Sequence, residues 1–240
     1  MSEKLESKEF EFDEFIEEKE TLLGNVSHIK EIPICRQPLI VLPYEWMHLE
    51  ISDPNIQQML TDVEKRESLF GIIEKSADEV ALPAVGTIGV AADIEEITKT
   101  GYANLQLVKI QGIVRFTIDE YVETDEPYPV ARITFFEDNE NTTNFEKVNL
   151  PVLGNRLRKL MKELCRLEGK YRHLDDYADT IKDEDLQSYS FFFWFIFLPP
   201  AQLRKLLIEM DSTVQRLFVL TRHIERVIQR LKGNKPTRFN

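Results

Sequence analysis

The sequence predicts an α+β fold, a β-barrel followed by a C-terminal helical bundle with one long helix. Three patterns carry that reading. Short apolar runs with strand character recur from Ile29 to Phe136, separated by turn residues. After Asn155 the apolar period becomes helical. From Leu203 to Leu231 one apolar stripe steps by three and four residues, as it would along a single long helix.

In chain order, residues 1–25 form an acidic arm in which Phe10, Phe12, Phe15 and Ile16 interrupt a run of acids. That composition suits a solvated arm or a docking segment that orders on a partner. Ile32-Pro33-Ile34, Leu39 to Pro43 and the alternation of Met47, Leu49 and Ile51 read as strands and turns. Asp53 then caps a helix from Asn55 to Lys65, with Ile56, Met59, Leu60 and Val63 on one face. Strands follow at Leu69 to Ile73, Val85 to Ile97, Ala103 to Lys109, Ile113 to Ile118 and Val130 to Phe136. Gly112 falls between two of them, where a sheet bends or bulges.

Beyond a boundary near residue 150, Leu157, Leu160, Met161, Leu164 and Leu167 mark one helix. Asp183 to Phe197 reads as a second, buried helix. Pro199-Pro200 opens a third, running from about Ala201 to Leu231 and about 45 Å long. Such a length exceeds what a small barrel can cover, so part of it projects or meets another helix, including a coiled-coil partner from a second copy. The organisation is thus an arm at 1–25, a barrel domain at 26–150, a helical domain at 151–232 and a basic tail at 233–240.

The formal net charge of −12 argues against a general nucleic-acid coat or a membrane-surface binder. The charge is unevenly spread. Residues 1–20 carry nine acids against three lysines, and residues 201–240 carry nine basic residues against three acids, so the two ends invite pairing. Cys35 and Cys165 are far apart and lack neighbours at metal-ligand spacing, so reduced thiols are expected. The amino terminus does not read as a secretion signal, and the longest apolar run, Phe191 to Leu198, is too short to span a bilayer. A cytoplasmic protein is the expectation.

Motifs for familiar chemistries are missing. No glycine starts a phosphate-binding G-x-x-x-x-G-K-[ST] loop, and no H-E-x-x-H or G-x-S-x-G occurs. His28, His48, His173 and His223 are isolated from one another in sequence. No catalytic residue, metal site or cofactor is therefore expected. The basic stretch Arg156 to Arg172 could grip phosphates, but it better suits a solvated helix face countered by Asp175, Asp176 and Asp179. The aromatic block Phe191 to Phe197 suits a buried helix or a docking surface.

Several stretches resemble, in order, the amino-terminal, substrate-binding domain of Lon protease. Ile32-Pro33-Ile34 with Leu42-Pro43 is similar to its opening strand pair. Val85-Gly86-Thr87, Asn104-Leu105, Gly112 and Arg115-Phe116-Thr117-Ile118 resemble its V-G-T strand, hairpin and G-x-x-R-F-x-I strand, and Pro127-Tyr128-Pro129-Val130-Ala131 its P-Y-x-x-A strand. Leu198-Pro199-Pro200, Leu206 to Asp211 and Arg216-Leu217 resemble the closing helix. Two departures stand out: Tyr44-Glu45-Trp46 occupies the loop after Pro43 that usually begins with Gly, and Gln37-Pro38 breaks the opening strand.

The resemblance implies a PUA-like barrel and a helical bundle, and a stand-alone module without the ATPase and protease parts of full-length Lon. It implies a non-enzymatic role: holding exposed apolar segments of polypeptide clients, or meeting a proteolysis-related partner, in a groove between barrel and helices. Tyr44, Trp46 and Met47 are the candidate substrate-binding residues, because the substituted loop offers large amphipathic side chains; ordinary barrel packing would also suit them. The alternative is an RNA-binding PUA-like protein using residues 156–172. No membrane partner is expected, and self-association through the Leu203–Leu231 stripe is compatible with either reading.

Overall fold

In the computed structural model, described for residues 28–75, 82–101, 104–138, 143–169, 171, 175, 178, 181–182 and 185–233, one six-stranded sheet is joined to five α-helices. The α+β expectation holds. The acidic arm and the tail from residue 234 lie outside the described residues, as do Lys170, Arg172 and His173. The strands are β1 (Glu31–Gln37), β2 (Trp46–Ile51), β3 (Phe70–Glu74), β4 (Ile88–Lys99), β5 (Gln106–Val122) and β6 (Val130–Phe136). The helices are α1 (Pro54–Lys65), α2 (Asn144–Leu167), α3 (Leu186–Phe192), α4 (Ala201–Glu209) and α5 (Thr213–Gly233), with a 3-10 turn at Phe193–Phe197 after α3.

The order is β2-β5-β4-β3-β1-β6, and β6 pairs back onto β5. Among the described residues only the β1–β3 pair is parallel, aligning Ile34 with Gly71. The pairings β5–β4–β3–β1–β6–β5 therefore run in a circuit. One buried cluster, including Ile32, Ile34, Val114, Phe116, Ile118 and Ile133, belongs to these strands. At its centre the Phe116 ring rests on two strand glycines. A Cβ at Gly71 would come within 2.6 Å of that ring, and one at Gly89 within 2.5 Å, so both positions must lack a side chain for the ring to fit. A second, larger cluster joins the sheet to the helices.

The seventeen residues of β5 serve both halves of the sheet because the strand bulges at Gly112. Val114 aligns with Ala91, yet Gly112 aligns with Ala92, which leaves Ile113 as the extra residue. Toward its start β5 pairs with β2, and toward its end with β6. At α1 the expected cap is present: the Asp53 carboxylate accepts from the Asn55 amide at 2.8 Å, and Pro54 opens the helix.

The strands expected at Ala103 to Lys109 and Ile113 to Ile118 are one strand, β5, and the helix expected from Asp183 to Phe197 is α-helical over Leu186–Phe192 and 3-10 over Phe193–Phe197. Three further expectations change. Leu39 to Pro43 forms no strand. Pro38 and Pro43 lack amide protons for a ladder, and the segment instead folds over the bulge, with the Tyr44 amide donating to Gly112 O at 2.8 Å and the Gly112 amide to Glu45 O at 2.9 Å. Helix α2 begins at Asn144, so the boundary near residue 150 falls inside it. Its first turns turn apolar side chains outward and carry Pro151 on an exposed position, which hides the helical period.

The third correction concerns the single helix from Ala201 to Leu231, which is two. Met210 is extended (ψ 125°), and its carbonyl accepts from Arg115 Nη1 at 2.6 Å and Arg216 Nη1 at 2.7 Å. Two buried guanidiniums thus replace the helical hydrogen bond that a continuous helix would make there. Helix α5 then lies parallel to α2, as the ion pairs Arg156–Glu225 and Glu163–Lys232 show by their equal offset in sequence.

Gly112→Ala tests the bulge. The added Cβ would lie 2.2 Å from Leu42 O, so the 38–45 segment must lift, and urea unfolding should show a loss of about 1–3 kcal/mol. Gly101→Ala, with open space around the new methyl group, should change stability far less.

Candidate functional site

Residues 42–47 are built into the seam between sheet and helices. Tyr44 takes φ +68°, the left-handed region that glycine enters without cost. This is the position where the Lon-type pattern has Gly. Burial holds the strained residue: its ring is 2% exposed, and the Ser188 hydroxyl of α3 donates to its Oη at 2.8 Å. Glu45 is also buried. Its carboxylate accepts from the Leu42 amide at 2.9 Å and from Arg204 of α4, with Arg204 Nη2 2.7 Å away. Arg204 further donates to Ile40 O at 3.1 Å and Pro199 O at 3.0 Å, so one side chain ties the loop to the start of α4.

Trp46 and Met47 open β2, opposite Gln111 and Ile110 of β5, and both are half-buried. The Lys109 ammonium lies 6.0 Å from the centre of the Trp46 ring. Among the described residues β2 pairs only with β5, so its other edge carries backbone donors and acceptors without a strand partner. The three sequence candidates therefore divide: Tyr44 points into the seam, while Trp46 and Met47 sit at the head of an open strand edge.

Between sheet and helices, the described residues enclose one small crevice beside the 42–47 segment. Pro43, Tyr44, Val114, Arg115, Phe136 and Phe191 line a crevice of about 10 Å³, room for one water-sized body. Beside it lies a second buried charge cluster. Asp138 accepts from Arg115 Nη2 at 2.7 Å, from Arg216 and from the Thr213 hydroxyl. Burial alone would raise the Asp138 pKa, but the hydrogen bond and charge of Arg216, with Thr213 and Arg115, hold it below the ordinary carboxylate value. The Phe191 ring packs against both guanidiniums, 4.0 Å from that of Arg216 and 5.3 Å from that of Arg115.

Other reactive groups are muted. Burial pushes the Cys35 thiol up to about 11 and raises Cys165 as well, which disfavours thiolate chemistry near neutral pH. No three His, Cys, Asp or Glu side chains gather into a metal-binding group among the described residues. In the basic stretch, Arg156 pairs with Glu225 and Arg158 donates to Ile181 O at 2.8 Å, so part of that face is used within the fold. No helix among the described residues is long and apolar enough to cross a membrane.

The family model of the ATP-dependent protease La (LON) substrate-binding domain matches residues 31–226. The chain belongs to that family. The Lon-type fold is also seen in the structural likeness to the N-terminal domain of the Lon protease of Mycobacterium avium complex, with a TM-score of 0.62 at 18% identity over 82% of this chain and 98% of that one. A Lon N-terminal domain protein from Xanthomonas campestris is matched over 80% of this chain and 97% of its own, with 17% identity and a TM-score of 0.49. None of the curated proteins matches the sequence.

Within this Lon-type domain, sequence reasoning named Tyr44, Trp46 and Met47 as candidates but missed the two arginine–carboxylate clusters. Arg115 and Asp138 are 23 residues apart and Glu45 and Arg204 are 159 apart, separations that carry no local signal. The resemblance quoted Arg115 and Arg216 without revealing that they share a carboxylate.

Removing that carboxylate should be costly. Asp138→Ala leaves two buried cations facing each other, and chemical denaturation should register a loss of about 3–5 kcal/mol. His223 offers a pH test, because its ring packs 5.3 Å from Trp194 and 4.9 Å from Phe197. Burial first, then Arg230 and Arg226, pull its pKa below the usual 6.5. The unfolded chain therefore binds that proton more readily, and the His223 contribution to stability is lost as pH falls through about 6.5 toward the folded value. Melting curves of His223→Phe should decline less between pH 7 and pH 5 than those of the unaltered protein.

Proposed function

We propose that this protein is a non-enzymatic polypeptide-recognition module that holds exposed apolar segments of client proteins. The family match over residues 31–226 carries the reading, since that family is named for substrate binding. The circuit of strand pairing supports a PUA-like barrel as its scaffold. The β2 edge, which has no second strand partner among the described residues, is in this reading the place where an extended segment is held. There a client strand would pair with the open backbone of β2 while Trp46 and Met47 cover its apolar side chains. Tyr44 serves as a positioning residue: fixed in the seam, it sets the path by which the chain enters β2.

The RNA-binding alternative has no comparable support. Arg156 and Arg158 are engaged inside the fold, and the net charge of −12 opposes a polyanion.

Binding of fluorescently labelled, permanently unfolded polypeptide tests the proposal by anisotropy. Trp46→Ala and Met47→Ala should each weaken binding roughly fivefold to a hundredfold, the equivalent of one apolar side chain left unburied. A proline at His48, in the middle of the open edge, should impair binding through the backbone. Unchanged affinity in all three variants, with folding intact by circular dichroism, would remove the β2 edge from the proposal. Salt-sensitive binding to RNA without any polypeptide binding would overturn the proposed function itself.

A further inference from the structure

Helix α2 begins with an apolar stripe that no described residue covers. Phe145, Val148 and Val152, spaced by three and four, are 69%, 68% and 60% exposed. The parallel helix α5 contributes to the same surface. Its ion pairs with α2, Arg156–Glu225 and Glu163–Lys232, share one offset, and extending that ladder by one heptad toward the amino termini places residue 149 beside residue 218. Phe218 is there, 48% exposed, with the Arg222 guanidinium 5.4 Å from its ring. The surrounding charge is positive. Lys147 and Lys159 on α2, with Arg222 and Arg226 on α5, supply it against Glu146, while Arg156 and Arg158 are already engaged with Glu225 and Ile181 O.

An aromatic-aliphatic patch with a cationic rim fits an acidic segment with interspersed phenylalanines, and this chain contains one. Residues 9–18 read Glu-Phe-Glu-Phe-Asp-Glu-Phe-Ile-Glu-Glu, six acids around Phe10, Phe12, Phe15 and Ile16. The topology brings the chain to the right end of the molecule. β1 runs antiparallel to β6, with Glu31 opposite Arg132 and the Ile133 amide donating to Lys30 O, so Ile29 and His28 head toward Phe136. Just past Phe136, Asp138 is bound to Thr213 and Arg216 in the first turn of α5, and α2 starts at Asn144. Phe218 lies only ~8 Å along α5 from Thr213. The twelve peptide steps from Ile16 to His28 can span up to ~40 Å.

We propose that residues 9–18 dock in cis on the face formed by Phe145, Val148, Val152 and Phe218. Apolar burial supplies the attraction, and the opposed charges set the register and add a salt dependence. The docked segment is a built-in cover for this face, separate from the β2 edge.

Hydrogen exchange measured on the full chain and on a chain lacking residues 1–25 tests this. Deletion should speed exchange of amides in 144–153 and 215–222 by roughly tenfold or more, and a synthetic peptide of residues 8–20 should restore protection, less well at high salt. Phe10→Ser, Phe12→Ser and Phe15→Ser combined in the full chain should mimic the deletion, and these changes lie outside the folded elements described above. Val148→Ser with Phe218→Ser, both exposed, should reduce peptide affinity roughly tenfold or more. Identical exchange in the two chains with no peptide binding would overturn the proposal. So would protection that persists without the arm and rises with protein concentration, which would assign the face to a second copy.

Discussion

Asp138, buried between Arg115 and Arg216, fixes how the helices meet the sheet. A carboxylate taken out of water needs compensating charge, and here it receives it from two elements at once, β5 and α5. Those same guanidiniums hold the Met210 carbonyl, which is why the polypeptide turns between α4 and α5. The Glu45–Arg204 pair repeats the device at the other side of the seam, binding the 38–45 segment to α4. Charge pairs of this kind add little net stability over a well-packed apolar seam, yet they tolerate few alternative arrangements. Loss of one partner strands the other.

Within the sheet, small residues make room for the rest. Phe116 occupies the space over Gly71 and Gly89, and Gly112 lets the 38–45 segment lie against β5. Tyr44 is the exception, a large side chain on a backbone conformation suited to glycine. The hydroxyl bond with Ser188 and near-complete burial offset that strain, and the consequence is a loop whose exit into β2 is set by tertiary contacts. Trp46 and Met47 owe their place at the strand edge to it.

Two surfaces then stand apart from the packed seam: the open edge of β2, and the apolar start of α2 with Phe218. They differ in chemistry. An edge strand offers backbone donors and acceptors with little regard to sequence, which is what the proposed holding of varied clients would require. The helix face presents fixed side chains with a positive rim, which suits one particular acidic and aromatic segment.

Sequence by itself determined the class of fold and most of its elements. The strand at Val130 to Phe136, the helix capped by Asp53 and the bulge at Gly112 each arise from local preferences: side-chain period, a capping carboxylate, a residue without Cβ. Trp46 and Met47 were legible as candidates because the loop departs from a family pattern. What only the tertiary structure decided depends on residues distant in the chain. The apolar stripe from Leu203 to Leu231 is continuous in sequence, and it is Arg115, on a strand, that helps break it at Met210. The early start of α2 was hidden because its apolar side chains face outward, so no inward period marks it. Whether Tyr44 was a surface or a core residue could not be read locally either. Its burial depends on Ser188, 144 residues away, and such pairings are settled by which surfaces meet when the helices close on the sheet.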